Sequence, residues 1–393
     1  MNYFIEKLGW VEIISKLEKV KLLTNFRLIA LRDQIRFKNR IGSNEEHLKA
    51  TVEWIKRAQD STGNGGVSAY LNYYIGWENA YPETTGYIIP TMFDYYYYSG
   101  DSDCKKRAIE MSDFLKRIQL DDGSFRLGSH PSPLDSDVFD TGQVLQGFVR
   151  CFKETKNDTY LSCATKAGDW IVAMQDNDGA WRKCSFNKIP HTYYTRVALA
   201  LLDLFEVTQN EKYKISAVKN IEWASANCNK VGWYHNCAFE IESMLHPNTH
   251  VIGYTVEGIL ECGILLNNEN FIRTATKTLR SLLNKFMSDR WIKSTYNECW
   301  ESNDNYSCLT GNAQISALWF RLFELTNEQK YYDGAVKLIN YIKSTQYLNS
   351  FHKGIQGGIK GSQPIYGDYN PYRYLNWAAK FFIDSLLRQE TLK

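Results

Sequence analysis

The segment FKETKNDTYLSCA (152–164) contains, within one short stretch, the signals that decide the fold. An apolar helical pattern ends in it, polar turn residues follow, and an aromatic residue opens a second helical pattern. The same arrangement returns at 95–108, 205–217, 265–275 and 323–335. Short polar turns of this kind join antiparallel helices into hairpins. The chain is therefore predicted to repeat one helical hairpin.

A second recurring phrase ends the helix that follows each turn. It reads MQDNDGAWRK at 174–183, IQLDDGSFRL at 118–127 and NKVGWYHN at 229–236. Each copy has a glycine where the helix must stop, and an aromatic residue just after it can fold back over the helix end. The phrase thus predicts the same helix ending in successive units.

Counting the units gives six pairs of helices. The first members are predicted near 44–58, 102–119, 158–175, 211–227, 268–288 and 328–345. Their partners are predicted near 84–98, 139–154, 190–208, 248–265, 309–326 and 371–390. The first set is amphipathic, whereas the second is apolar on nearly every side and should be buried. This pattern predicts an all-α (α/α)6 toroid as the catalytic domain at 44–393, preceded by an N-terminal helical extension at 1–43.

Composition narrows the possible functions. Of 393 residues, 44% are hydrophobic and 23% charged, which is typical of a folded globular protein. The net charge of +2 argues against a nucleic-acid partner or an anionic membrane surface. The 11 Trp, 26 Tyr and 19 Phe residues together make 14% of the chain. Tyr and Trp have a flat apolar face and a polar tip, so this richness favours a wet groove for sugars.

The cellular setting and the need for cofactors follow from what the sequence lacks. No apolar run is long enough to span a bilayer, which predicts no membrane insertion. The nine cysteines are odd in number and form no CxxC pairs, which favours reduced thiols and a cytoplasmic location. No Cys/His cluster has zinc spacing, and no phosphate-binding glycine loop is present. Neither a metal nor another cofactor is therefore expected.

The Q-x-x-D-G-S/A-F/W ending of 119–125 and 175–181 resembles that of six-hairpin toroids. These include glycoside hydrolases, polysaccharide lyases, uronyl epimerases and terpene cyclases. The segment GGVSAYLNYYIGWENAYPETTGYIIPT (65–91) looks like uncharacterised proteins that accompany bacterial surface-polysaccharide assembly. These resemblances imply the toroid fold and a carbohydrate-active enzyme with a glycan substrate, acting in capsule or O-antigen biosynthesis.

Candidate catalytic residues stand where the long loops enter the inner helices, since all six starts should converge on one mouth. Glu83 in YPETTGY and Asp140 in DSDVFDTGQ open consecutive inner helices. Glycoside hydrolysis needs two carboxyl groups, one protonated and one ionised. Unsaturated glucuronyl hydrolases resemble this arrangement, with acids at consecutive inner-helix starts. The leading expectation is hydrolysis of a glycosidic bond by Glu83 and Asp140.

Three alternatives stay open. Glu83, Asp137 and Asp140 could be helix caps or first-turn acids. His191 and His250 could instead act with a Tyr in a uronate lyase or C5-epimerase, or be structural. The toroid could also bind glycans without catalysis.

Substrate-binding candidates come from the same loops and helix starts, with Arg373 as a possible clamp for a carboxylate. They are Trp77, Tyr81, Asp137, Trp181, Tyr193, Tyr194, Trp233, Trp300, Asn312, Asp368, Tyr372 and Arg373, with Tyr70 and Tyr73 as further loop aromatics.

Overall fold

The computed structural model describes residue 20 and residues 22–72, 74–350 and 352–392. The first 19 positions of the predicted extension and Tyr73 lie outside these residues. Within the described part, residues 22–34 form a helix (α1). Its Phe26 is buried and packs edge-on against Tyr374, and its Asp33 forms a buried ion pair of 2.8 Å with Lys360.

Twelve further helices alternate between an outer and an inner ring. The outer helices are α2 (Asn44–Asp60), α4 (Ser102–Ile118), α6 (Asp158–Met174), α8 (Glu211–Ala226), α10 (Glu269–Asp289) and α12 (Gln329–Lys343). The inner helices are α3 (Pro82–Ser99), α5 (Val138–Thr155), α7 (Thr195–Thr208), α9 (Thr249–Leu265), α11 (Leu309–Thr326) and α13 (Asn376–Thr391). Each inner helix packs against the next, and α13 contacts α3, so the ring closes. The predicted (α/α)6 toroid is confirmed.

Burial follows the predicted difference between the two sets. In α10 the buried residues form one stripe at helical spacing, namely Phe271, Ala275, Thr278, Leu279, Leu282, Leu283 and Phe286. In α9 nearly every residue is buried, because the helix has neighbours on all sides. A one-sided helix suits the outside of the toroid and an all-round apolar helix suits its inside.

The recurring sequence segments cap the helices and form hydrogen bonds between neighbouring helical units. In the short turns, Asn157 and Asn210 cap the outer helices by accepting backbone hydrogen bonds. After α4 and α6, the recurring glutamine bridges two units. Gln175 Nε2 donates to the carbonyl of Gly179 at 3.0 Å and to that of Ser216, on α8, at 2.9 Å. Gln119 makes the equivalent pair of bonds to Gly123 and to Cys163 of α6.

The glycine of the same phrase is required by both conformation and space. Gly179 has φ +93°, and a Cβ there would lie 2.3 Å from the carbonyl oxygen of Lys219 in the next outer helix. Any side chain at this position would therefore push adjacent units apart.

Short strands lie among the long loops. β1 (Tyr70–Asn72) pairs antiparallel with β2 (Gly76–Trp77) and with β5 (Arg373–Leu375). β3 (Ser307–Cys308) pairs with β4 (Ser362–Gln363). The first sheet joins the loop after α2 to the loop before α13, where the ring closes. All nine cysteines are free thiols. Among the described residues, no helix has the length and apolar character needed to cross a bilayer.

Candidate active site

The long loops surround a cavity of about 530 Å³ at the N-terminal ends of the inner helices. Glu83, Asp137 and Asp140 line this cavity together. All three are buried, with at most 7% of their surface exposed. The fold thus gathers on one wall the acids that sequence spacing places at two consecutive helix starts.

The three acids of the cavity differ in their positions at the helix starts, and one of them is also a helix cap. Glu83 follows Pro82 in the first turn of α3. The N-cap position belongs to Tyr81, whose side chain makes no capping hydrogen bond, so Glu83 is not the helix cap. Asp137 is the N-cap of α5, and its Oδ1 accepts from the backbone nitrogens of Phe139 at 2.7 Å and Asp140 at 3.1 Å. Asp140 lies in the first turn, where its Oδ2 accepts from the Gly128 nitrogen at 3.2 Å.

The three carboxyl groups differ in protonation. Burial raises the pKa of Glu83 to about 7, and the charge of Asp137 adds to this effect. Burial also raises the pKa of Asp137 to about 6, against the backbone hydrogen bonds that favour its charged form. Asp140 has a pKa raised well above its ordinary value by burial and then by the charges of Glu83 and Asp137. Burial and both neighbouring charges thus favour the protonated form of Asp140, whereas a pKa of about 7 leaves Glu83 partly ionised at neutral pH.

The two predicted histidines have different surroundings. His250 lines the cavity, and its Nδ1 lies 2.8 Å from Oε1 of Gln314. Burial lowers the pKa of His250 to about 3, so the ring is neutral. His191 does not line the cavity, and its two ring nitrogens lie 2.8 Å from the carbonyl oxygens of Ala238 and Phe186. His191 thus joins two loops, and its proposed role as a catalytic base lacks geometric support.

Arg196 closes the floor of the cavity. Its guanidinium lies 5.3 Å from the ring of Tyr254 and 5.7 Å from that of Tyr87. It donates to Gln143 and Gln146 at 3.0 Å each and pairs with Glu257 at 2.5 Å. Arg196 is not among the residues that line this cavity, but it lines a second cavity at the opposite end of the toroid.

The rim of the cavity carries polar groups from two loops. Asp368, Asn370 and Arg373 come from the loop before α13, and Glu240 comes from the loop before α9. Arg373 donates from Nη1 to Oδ1 of Asn370 at 2.9 Å, and its guanidinium lies 4.4 Å above the ring of Tyr70.

Of the predicted binding residues, Tyr81, Asp137, Tyr193, Asp368 and Arg373 line the cavity, as do the proposed catalytic residues Glu83, Asp140 and His250. Tyr194 lies behind the wall, with its hydroxyl 3.4 Å from Oδ2 of Asp137. Asn312 is completely buried in α11, and Tyr372 lines a separate surface recess beside Arg27 and Tyr74. Neither Asn312 nor Tyr372 lines the candidate active-site cavity.

The prediction of sugar platforms is wrong for three of the four tryptophans, whereas Trp77 is half-buried and is not among the residues that line the cavity. Trp181, Trp233 and Trp300 are at most 4% exposed, so their faces are not available to a ligand. Their indole nitrogens each donate to a backbone carbonyl at 3.0 Å, of Ile171, Tyr296 and Val231 respectively. Trp77 packs 5.2 Å from the ring of Trp54. They pack over helix ends and loops, as the repeat phrase also suggested.

Sequence reasoning missed the aromatic residues that do form the walls. They are Tyr87, Phe139, Phe186, Phe239, Tyr254, Tyr369 and Trp377. Two of them could have been found from helical spacing. Tyr87 follows Glu83 by four residues and Tyr254 follows His250 by four, which places each pair on one helix face.

Comparison with known proteins supports the fold. No protein-family model matches the chain. No curated protein matches it either. Solved structures are similar: an unsaturated glucuronyl hydrolase specific for heparin is 15% identical, with a TM-score of 0.71 over 89% of this chain and 97% of that one. The unsaturated glucuronyl hydrolase of Bacillus sp. GL1 is 14% identical, with a TM-score of 0.70 over 88% and 97%.

A sugar epimerase from a ruminal bacterium is 12% identical, with a TM-score of 0.72 over 88% of this chain and 98% of that chain. All three similarities extend over nearly the whole toroid. They confirm the predicted resemblance to six-hairpin toroids at the level of the fold.

Proposed function

We propose that the protein is a carbohydrate-active enzyme that hydrolyses a glycosidic bond in a bacterial polysaccharide or oligosaccharide. The observation that carries this proposal is the pair Glu83 and Asp140, buried in one cavity, where burial raises both pKa values and the charges of Glu83 and Asp137 raise that of Asp140 further. Two carboxyl groups of unequal acidity are what glycoside hydrolysis requires. The aromatic walls fit the apolar faces of sugar rings. Structural neighbours named as glucuronyl hydrolases support the same reading.

The two residues would divide the reaction as follows. Asp140, whose protonated form is favoured by burial and by the charges of Glu83 and Asp137, donates its proton to the glycosidic oxygen as the bond to the anomeric carbon breaks. Ionised Glu83 accepts a proton from the water whose oxygen bonds to that carbon. Asp137 anchors the start of α5 and keeps a further negative charge near both groups, which holds the proton on Asp140.

The cytoplasm is the proposed site of action, because nine free thiols suit a reducing compartment. A role in assembling or remodelling a surface polysaccharide such as capsule or O-antigen would fit this location. The proposal needs neither a metal nor another cofactor.

The test is release of new reducing ends from defined oligosaccharides: a glucosamine trimer, an N-acetylglucosamine trimer, a galacturonate trimer and an unsaturated chondroitin disaccharide. Turnover that depends on Glu83 and Asp140 would support hydrolysis. Affinity for a sugar with no turnover on any of them would favour a binding toroid and contradict the enzymatic proposal.

Proton abstraction by His250 is the second candidate. Its ring is neutral, lies in the cavity and has its centroid 4.2 Å from that of Tyr254. Together these groups could serve a uronate lyase or an epimerase. A product with the ultraviolet absorbance of a conjugated uronate, formed by Glu83→Gln but not by His250→Ala, would favour this chemistry over hydrolysis.

A further inference from the structure

The charges around the cavity are strongly unbalanced. Its lining contains five acidic side chains, Glu83, Asp137, Asp140, Glu240 and Asp368. Arg373 is the one lysine or arginine among the lining residues, all of which the structure describes. His250 adds no positive charge, because burial lowers its pKa to about 3. Even with Asp140 protonated, acidic groups outnumber basic ones.

The acidic groups form two tiers. Glu83, Asp137 and Asp140 are buried in the wall, where the proposed chemistry takes place. Glu240 and Asp368 are exposed at the rim, on loops that enter different inner helices. The rim pair therefore meets a ligand before the buried groups do, and no step of the proposed hydrolysis uses it.

Nearby cations do not cancel this charge. The guanidinium of Arg373 is engaged with Asn370 and with the face of Tyr70. The hydroxyl of Tyr70 in turn donates to Glu78 at 3.2 Å. Arg196 under the floor is paired with Glu257. Arg373 keeps its positive charge, because its partners are a neutral amide and an aromatic ring, but this single cation does not balance the acidic side chains of the lining.

From this arrangement we propose that the cavity selects a saccharide bearing a free ammonium group, an amino sugar, and disfavours uronates. This inference rests on the proposed function only in placing a glycan in the cavity. The carboxylates of Glu240 and Asp368 attract the ammonium group, and the rings of Phe239, Tyr369 and Trp377 offer faces for cation–π contact. A uronate carboxylate would instead meet like charges in a partly dry site.

The experiment measures binding, so its outcome is separate from turnover. Titration calorimetry with the full chain compares three trimers of matched length: glucosamine, N-acetylglucosamine and galacturonate. We expect the glucosamine trimer to bind about tenfold more tightly than its neutral N-acetylated counterpart. Raising the salt concentration should weaken binding of the glucosamine trimer and leave the neutral trimer unaffected. Galacturonate should bind most weakly.

Two rim variants and one control locate the effect. Glu240→Gln and Asp368→Asn should each reduce affinity for the glucosamine trimer severalfold, without changing affinity for the neutral trimer. Glu242→Gln is the matched control, since Glu242 is an exposed acid two residues away that does not line the cavity. It should bind like the original protein.

Tighter binding of galacturonate than of glucosamine, or equal losses in Glu242→Gln and Glu240→Gln, would overturn the inference. Hydrolysis by Glu83 and Asp140 could still hold in that case. Conversely, ammonium-dependent binding without any turnover would support the inference and contradict the hydrolase.

Discussion

Both ends of the toroid axis carry acidic side chains. Among the described residues, most of these acids at one end form ion pairs with lysine or arginine, and at the other end they do not. The cavity at the short-turn end is the larger, about 830 Å³ against about 530 Å³. Most of its acids are held by cations. The pairs are Glu257–Arg196, Glu261–Arg321, Glu324–Arg388, Asp384–Lys380 and Asp94–Arg150. At the long-loop end, Glu83 and Asp140 line a cavity whose single cation is engaged elsewhere at the rim.

This difference shows in the pKa values of buried carboxyl groups on one scaffold. Burial favours a higher pKa for Glu257, yet Arg196 and Lys380 lower it overall. Glu83 is more deeply buried than Glu257 and forms no ion pair with the described residues, and its pKa is raised to about 7. Strongly perturbed carboxyl groups in a cleft are candidates for proton chemistry, whereas paired ones stabilise structure. The larger cavity is therefore not the better candidate for an active site.

The largest expected effect separates the two ends by activity. Asp140→Asn should lower the rate of reducing-end release by about 10²- to 10⁴-fold, because the amide cannot donate the proton that the leaving oxygen needs. Asp203→Asn is a matched control at the short-turn end. Burial raises the pKa of Asp203 to about 6, but the residue lines the other cavity. If both variants lost activity equally, the assignment of the reaction to the long-loop end would be wrong.

The next effect separates the ends by stability. Glu257→Gln removes the charge that compensates fully buried Arg196 and should lower the free energy of unfolding by about 3 kcal/mol. Urea denaturation monitored by circular dichroism measures this change. Glu242→Gln, at an exposed acid, should be neutral. A loss below about 1 kcal/mol for Glu257→Gln would mean that ion pairing does not stabilise the short-turn end.

A smaller effect on the free energy of unfolding is expected for Glu83→Gln, which should stabilise the protein where Glu257→Gln destabilises it. Because the pKa of Glu83 is about 7 in the folded protein and about 4.3 when unfolded, the folded state binds more protons between these pH values. Unfolding free energy should therefore fall as pH rises from about 4.5 to 7. Glu83→Gln should remove this contribution and stabilise the protein at pH 8 by about 1–3 kcal/mol. A variant less stable than the original at pH 8 would contradict it.

The smallest expected effect concerns His191, at the long-loop end. His191→Ala removes a ring whose neutral form donates one hydrogen bond, to the carbonyl of Ala238 or of Phe186, and should cost about 1–2 kcal/mol of stability. Its turnover should stay within about threefold of the original, because His191 lies outside the cavity. Thermal unfolding and initial rates measure the two quantities. A large loss of turnover with intact stability would return His191 to the catalytic candidates.

The architecture was predictable because its signals are local. Gln175 and Gly179 recur with their counterparts at the same offsets, since each unit must make the same joint with the next. The positions of Glu83, Asp140 and His250 followed from the toroid, because inner-helix starts converge on one mouth.

Other features depended on contacts that spacing does not reveal. His191 and His250 both precede or open an inner helix, but only the three-dimensional path of the loops brings two carbonyls onto His191. Trp181 follows the same glycine in sequence whether it packs inward or faces a ligand. The unequal pKa values of Glu83 and Asp140 arise from burial and mutual repulsion, which appear only once the chain is folded.

The most direct test of the contrast between the two ends is a pH titration of side-chain carboxyl groups by ¹³C NMR, with Glu83→Gln and Glu257→Gln used to assign signals. The Glu83 signal should titrate near pH 7 and the Glu257 signal below the ordinary range of glutamate. Titration of Glu83 and Glu257 at the same pH, near the usual value of about 4.3, would contradict the account.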